Sequence, residues 1–425
     1  LGAAGILGNP FASSAAEKEV ESIAKPIPTR YWWVKNVDKP TMEVDWKNVQ
    51  RFSEWKTTRG SLRTYRGAEL DDKLNKVQKD NLKQWENEGK PGYTTKDMAL
   101  SNAVSFGKPD FKFLGPQTAS TPQQRGVPRY EGTPEDNARI IRVAMRHMGA
   151  ATVGFVELNP ETTRKLVYAE EPAPSKTPIV FENVDVGYAT KEKLVIPDKA
   201  RWAITYTIQM STETMKYGPT MLGSLTTSLS YTRLYTIYAQ LHEFIRSLGY
   251  NSYGATAVNG LGIAPAMAAM GGLGEMSRLN RIITPEYGPM VRTAFLITDL
   301  PLAPTKPINF GVMAFCKDCK TCATMCPSQA LSQERDPSWK VQGPWGNPGH
   351  RAYFEDSVKC RNYWNQVGTN CGICFSVCPY AVGDDASLHR IIKGTIANTT
   401  AFNGVLVAAD RAAFPATPEQ PLNNP

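Results

Sequence analysis

Apolar positions recur at helical spacing in two stretches and crowd into unbroken or alternating runs in three others. Thr133 offers a helix cap, Pro134 suits the first turn, and Glu135 and Asp136 add negative charge where an amino end favours it. Ile140, Ile141, Val143, Ala144 and Met148 then form a buried stripe, and Gly149 ends the helix. Residues 151–158, 202–210 and 291–300 read as strands, and 225–248 as a long helix closed by Gly249. Strand, helix and strand in turn predict a sheet covered by helices, an α/β (α+β) core over residues 126–310 with an insertion at about 151–200. Residues 1–125 are rich in Pro, Lys, Trp and Tyr and weakly periodic, so an irregular wrapping unit is expected there.

Charge changes this picture little. The 48 basic and 40 acidic residues leave a net +8 spread along the chain, and the densest basic stretch, 56–66, is interleaved with Thr, Gly and Ser. That is a solvated surface and predicts no nucleic-acid partner. No apolar run reaches the roughly 18 residues of a membrane span. Residues 1–7 (LGAAGIL) followed by 11–16 (FASSAA) read as the end of a leader's apolar region and a small-residue cleavage zone, which predicts an exported protein with a leader remnant at 1–16. A cluster protein folds around its cofactors before export, which points to the twin-arginine route.

The cysteines carry the chemistry. All eight fall into two sets, Cys316-x2-Cys319-x2-Cys322-x3-Cys326-Pro327 and Cys360-x10-Cys371-x2-Cys374-x3-Cys378-Pro379. In the bacterial ferredoxin run, three closely spaced thiolates hold one [4Fe–4S] cluster and the cysteine before proline reaches across to the other. Cys316, Cys319, Cys322 and Cys378 would hold one cluster, and Cys360, Cys371, Cys374 and Cys326 the second. A ferredoxin-like domain is therefore expected at 311–382, with a carboxyl-terminal segment at 383–425. A disulfide framework suits small chains short of a core, whereas 425 residues at 41% hydrophobic can bury a large one. Paired zincs usually lack the third tight cysteine.

A second informative stretch runs from Asn259 to Arg278. Gly260, Gly262, Gly272 and Gly274 let backbone approach a ligand closely. The spacing is neither of the two common nucleotide loops. It fits another extended, partly apolar cofactor, or tight packing.

The order NGLG (259–262), GLGE-x-x-R (272–278), PEYGPMVR (285–292) and TDLPL (298–302), followed by a doubled cluster motif, resembles the corrinoid-dependent reductive dehalogenases of organohalide respiration over about residues 130–380. The resemblance implies a nitroreductase-like cobamide-binding core, the two-cluster domain, a twin-arginine leader removed on export, and a small membrane-anchor subunit holding the enzyme to the outer face of the cytoplasmic membrane. It implies a low-potential electron donor, admits a homodimer, and implies that a small organohalide exchanges halogen for hydrogen with two electrons and one proton. His147, His242, His350 and His389 sit in no D-x-H-x-x-G context, so a cobamide bound base-off without a histidine ligand is expected. Arg292 matches the family's arginine and Asn259 a polar pocket residue. Tyr231 best fits the tyrosine that donates the proton; Tyr235 and Tyr238 share its helix face, and Tyr235 stays open as the alternative. Trp364 falls where the family places a pocket tryptophan, with Tyr235 and Phe106 as further pocket candidates and Phe52 and Trp55 as weaker ones. Two rival readings are an enzyme like epoxyqueuosine reductase and a non-catalytic ferredoxin-type electron-transfer subunit; the second leaves the glycine-rich stretch and the large core without a role.

Overall fold

The structure is a computed structural model that describes residues 31–104, 107, 109–381 and 387–413; the leader-like residues 1–16 and Phe106 lie outside them. A four-stranded sheet forms the centre, in the order Thr152–Glu157, Trp202–Gln209, Val291–Thr298, Ser252–Tyr253, with every neighbouring pair antiparallel. Thr133 caps the helix Pro134–His147 by accepting from the Asp136 N–H at 3.1 Å. The long helix Met221–Leu248 starts four residues earlier than its apolar pattern, because Thr220 caps it through the Gly223 N–H at 3.2 Å. Its buried face and that of Pro134–His147 supply Leu234, Leu241, Ile245, Ile141 and Met145 to one core with Phe155, Ile204 and Leu296 of the strands. Each such side chain contributes roughly 1.5–3 kcal/mol on burial, which makes this layer the rigid support for what it carries.

The expected insertion at 151–200 has a later start. Thr152–Glu157 pairs along its length with Trp202–Gln209 and is a main-sheet strand; only the residues after it form a separate three-stranded sheet of Ile179–Glu182, Leu194–Pro197 and Tyr188–Ala189.

The amino-terminal unit is also more regular than its pattern implied. It holds helices Thr58–Arg66, Ala68–Asn87 and Thr95–Val104. Ala68–Asn87 packs against Ser357–Val367 of the cysteine region through polar groups, with Asn365 Nδ2 donating to Gln78 Oε1 at 2.7 Å and Gln78 Nε2 to the Gly368 carbonyl at 3.0 Å. Polar groups of this kind do not register in a search for apolar periodicity.

The cysteine region packs on the core through the GLGE-x-x-R motif. Glu275, buried, accepts from the Thr41 hydroxyl at 2.6 Å and from the N–H groups of Phe310 (2.6 Å) and Val312 (3.2 Å), so it caps the helix Val312–Cys319 that carries Cys316 and Cys319. Helices Ser387–Asn398 and Asn403–Ala413 follow the second cysteine set. Among the described residues no helix is long and apolar enough to cross a membrane.

Candidate active site and cofactor cavities

The long helix presents Thr227, Tyr231 and Tyr235 one turn apart, and the central strand Val291–Thr298 brings Arg292 against them. Arg292 donates from Nη2 to Thr227 Oγ1 at 3.2 Å, its guanidinium carbon stands 5.2 Å from the Tyr231 ring centroid and 5.6 Å from that of Phe375, and its buried Nε has no partner among the described residues. Tyr231 is half-buried and donates its hydroxyl to Asn259 Oδ1 at 3.0 Å. Asn259 sits at φ +61°, a left-handed conformation that asparagine tolerates better than most residues and that turns its side chain's loop back toward the helix.

Tyr235 has a different job. Its ring lies 6.1 Å from that of Tyr231, but it is only 4% exposed, and its oxygen accepts the backbone N–H of Asn259 at 2.8 Å. Burial pushes its pKa well above the ordinary phenol value. The pair thus separates into an accessible hydroxyl beside a cation and a buried one that fixes the Asn259 loop.

A large open cleft, about 1040 Å³ with the open space at its mouth included, lies beside the residues that follow this loop. Ile263, Ala266, Ala269 and Met270 form one wall, Trp46 and Phe52 of the amino-terminal unit another, and Trp345, Asn347, His350 and Phe354 a third. The four glycines singled out by sequence are not among the residues that line it. Gly262 packs on the Leu166 carbonyl and the Phe295 ring, and Gly274 on the Ile283 carbonyl, so tight packing explains both; Gly260 lies 3.0 Å, measured from an added Cβ, from the Ala257 carbonyl, and Gly272 takes φ +71° at the end of the helix Ala264–Met270. Asn347 and His350 were not found from sequence, since nothing in their local pattern marks them. Asn347 Oδ1 is buried in this wall without a partner among the described residues. His350 is bonded to the Pro348 carbonyl, and burial lowers its pKa to about 4, so its imidazole is neutral. An apolar cavity with an unused acceptor at its edge fits a corrinoid, whose ring has broad apolar faces and carboxamide donors at its rim.

Two smaller cavities hold the thiols. Cys316, Cys319, Cys322 and Cys378 line one, and Cys326, Cys360, Cys371 and Cys374 line another, the crossed grouping that the spacing implied. Four thiols converge on each, the ligand count of a [4Fe–4S] cluster. The cavities stand in a row. Leu279 lines both thiol cavities, and Arg281 lines both the second of them and the large cavity. Trp364 falls in the wall of the second thiol cavity under the Arg361 guanidinium, at 4.6 Å; it is Phe375 of that same wall that reaches Arg292. Trp55 donates its indole N–H to Glu170 at 2.6 Å.

Fold, tyrosine site and paired thiol cages together define a redox enzyme built around an iron–sulfur relay. Residues 29–302 match the model of the reductive dehalogenase subunit, and residues 315–381 that of the 4Fe-4S double cluster binding domain. The chain belongs to the reductive dehalogenase family, oxidoreductases that act on carbon–halogen bonds. It is 29% identical to a trichloroethene reductive dehalogenase of Dehalococcoides mccartyi over 90% of this chain and 83% of that one. It is 34% identical to a tetrachloroethene reductive dehalogenase of Sulfurospirillum multivorans over 66% of this chain and 57% of that one. Among solved structures, the catabolic reductive dehalogenase NpRdhA shares the fold at a TM-score of 0.64 and 21% identity, covering 94% of this chain and 51% of the other. The chain therefore spans only about half the length of that solved enzyme.

Proposed function

We propose that this chain reduces a small chlorinated alkane or alkene, replacing chlorine by hydrogen with two electrons and one proton and releasing chloride. The single observation that carries the reading is the row of cavities: two thiol cages lead to an open apolar cavity, and the loop that precedes its Ile263 wall is tied through Asn259 to an accessible tyrosine held next to an arginine. When bound, a base-off cobamide supplies a strongly reducing cobalt centre and two [4Fe–4S] clusters supply single electrons to it. Ile263, Ala266 and Met270 would pack its apolar faces, and Asn347 Oδ1 would accept from its carboxamides. His350 lines this cavity, so it is the histidine on which the expectation of no histidine ligand is tested: nitrogen splitting in the cobalt EPR signal that is lost in His350→Ala would contradict it.

Tyr231 delivers the proton. Asn259 Oδ1 holds its hydroxyl at 3.0 Å, and the Arg292 cation beside the ring lowers the cost of the phenolate left behind. A chlorinated hydrocarbon offers almost no hydrogen bonding, so the apolar and aromatic surroundings select it. Relatives named for trichloroethene, tetrachloroethene and chloroethene support chlorinated ethenes in particular. Export by the twin-arginine route and attachment to the outer face of the membrane through a small anchor subunit belong to the same reading; they rest on the small-residue tract at 11–16 and the family resemblance. The test is anaerobic turnover of chlorinated methanes, ethanes, ethenes and phenols with a reduced viologen. Chloride release from the ethenes is expected, and release from none of the panel by iron- and cobalt-loaded protein rejects the proposal.

A further inference from the structure

The four residues 278–281 touch all three cavities in chain order. Arg278, 1% exposed, donates from Nε and Nη2 to the Cys316 carbonyl at 3.0 and 2.6 Å. Leu279 separates the two thiol cavities, and Asn280 faces the large one. Arg281 stands in the wall between the large cavity and the cage of Cys326, Cys360, Cys371 and Cys374.

The placement of Arg281 is built. Its Nη2 meets Glu355 Oε1 at 2.9 Å, its Nη1 donates to the Asn280 carbonyl at 2.8 Å, and Glu355 Oε1 also accepts the Ser357 hydroxyl at 2.8 Å. The Trp345 indole N–H, from the wall of the large cavity, bonds the Glu355 carbonyl at 3.3 Å. The Arg281 side chain keeps 38% of its surface uncovered, against 14% for Glu355, so the cation is the member of the pair more open to whatever fills the cavities.

We propose that Arg281 is a positioning residue that sets the reduction potential of the cluster held by Cys326, Cys360, Cys371 and Cys374, and that Glu355 opposes it. The inference rests on the cluster and corrinoid reading above. Reduction adds one negative charge to the cluster. A guanidinium, which stays protonated in proteins, stabilises that charge from a fixed position in the wall, and a neighbouring carboxylate destabilises it. The same cation holds the reduced state at the face that passes the electron onward, while the first cage lies beyond Leu279 and feels it less.

The experiment compares Arg281→Gln, Arg281→Lys and Glu355→Gln in the full holoenzyme, with iron and cobalt counted and the cluster signals followed by EPR during a stepwise redox titration. In Arg281→Gln one of the two cluster couples should move to more negative potential while the other stays, and Arg281→Lys should lie between that variant and the parent. Glu355→Gln should move the same couple to more positive potential, an opposite sign that simple loosening of the fold does not produce. Unmoved couples in both charge-removing variants, shifts of one sign in both, or equal shifts of both couples overturn the proposal. If Arg281→Gln loses a cluster, the sign in Glu355→Gln decides. Iron-loaded protein without cobalt rejects the corrinoid reading separately, since the cluster couples stay readable.

Discussion

The sheet-and-helix core and the cysteine region satisfy their buried groups in opposite ways. In the core, buried hydroxyls find partners within the chain: the Tyr206 hydroxyl donates to the Leu234 carbonyl at 2.7 Å, and the buried hydroxyls of Thr152 and Thr207 pair at 2.6 Å. In the cysteine region the eight thiols line two cavities in sets of four, and desolvation raises the pKa of Cys316, Cys360 and Cys371. A coordinating cation favours the thiolate that desolvation disfavours. The first region is a finished scaffold; the second is completed by what it binds.

That contrast is broken most sharply at the cysteines before proline. Cys378→Ala should cost the cluster of Cys316, Cys319 and Cys322 while leaving the other, and Cys326→Ala should do the reverse, as iron content and EPR would show. Loss of the cluster in the variant's own run would mean that the cages are not crossed.

Next in size is the cation of the core. Arg292→Lys should lower turnover about 10²-fold with both clusters and the corrinoid retained, because a compact ammonium cannot reproduce a planar fork that reaches Thr227 and lies beside Tyr231. Steady-state rates on cofactor-matched protein check it.

The smallest effect concerns a buried carboxyl group of the amino-terminal unit. Glu54, 2% exposed, accepts from Arg59 at 2.7 Å, yet burial raises its pKa to about 7 from 4.5. A folded pKa above the unfolded one gives stability that is fully present below about 4.5 and is lost as pH rises through about 7. Glu54→Gln should flatten that part of the stability profile in denaturant melts from pH 4 to 8; an unchanged slope would show that Arg59 keeps the carboxylate ionised.

The same contrast explains what could be read in the sequence. Pro134–His147 and the three long strands announced themselves because each buries a periodic apolar face, and the quartets did so because short cysteine spacing has few other uses. The helices of residues 58–104 stayed hidden although Leu70, Leu74 and Val77 recur at helical spacing, since charged and polar residues dominate Ala68–Asn87 and part of its docking runs through Gln78. The glycines misled in part: Gly262 and Gly274 mark close backbone contact within the protein, and the cavity is lined by the residues that follow Gly262. Asn347 and His350 lie in the long gap between Cys326 and Cys360, where only the folded chain brings them to the cavity wall. The stacked pair Tyr231 and Tyr235 shares one helix face and could be separated only by the partners each hydroxyl meets.

The central claim is that the accessible tyrosine, not its buried neighbour, passes the proton, and single-turnover chloride release from trichloroethene by Tyr231→Phe and Tyr235→Phe tests it most directly. With iron and cobalt equal to the parent, Tyr231→Phe should be slower by about 10² to 10⁴-fold. Tyr235→Phe should keep turning over while losing about 1 kcal/mol of stability, because it gives up the bond that holds the Asn259 N–H. Parental rates in Tyr231→Phe together with a dead Tyr235→Phe would contradict the account.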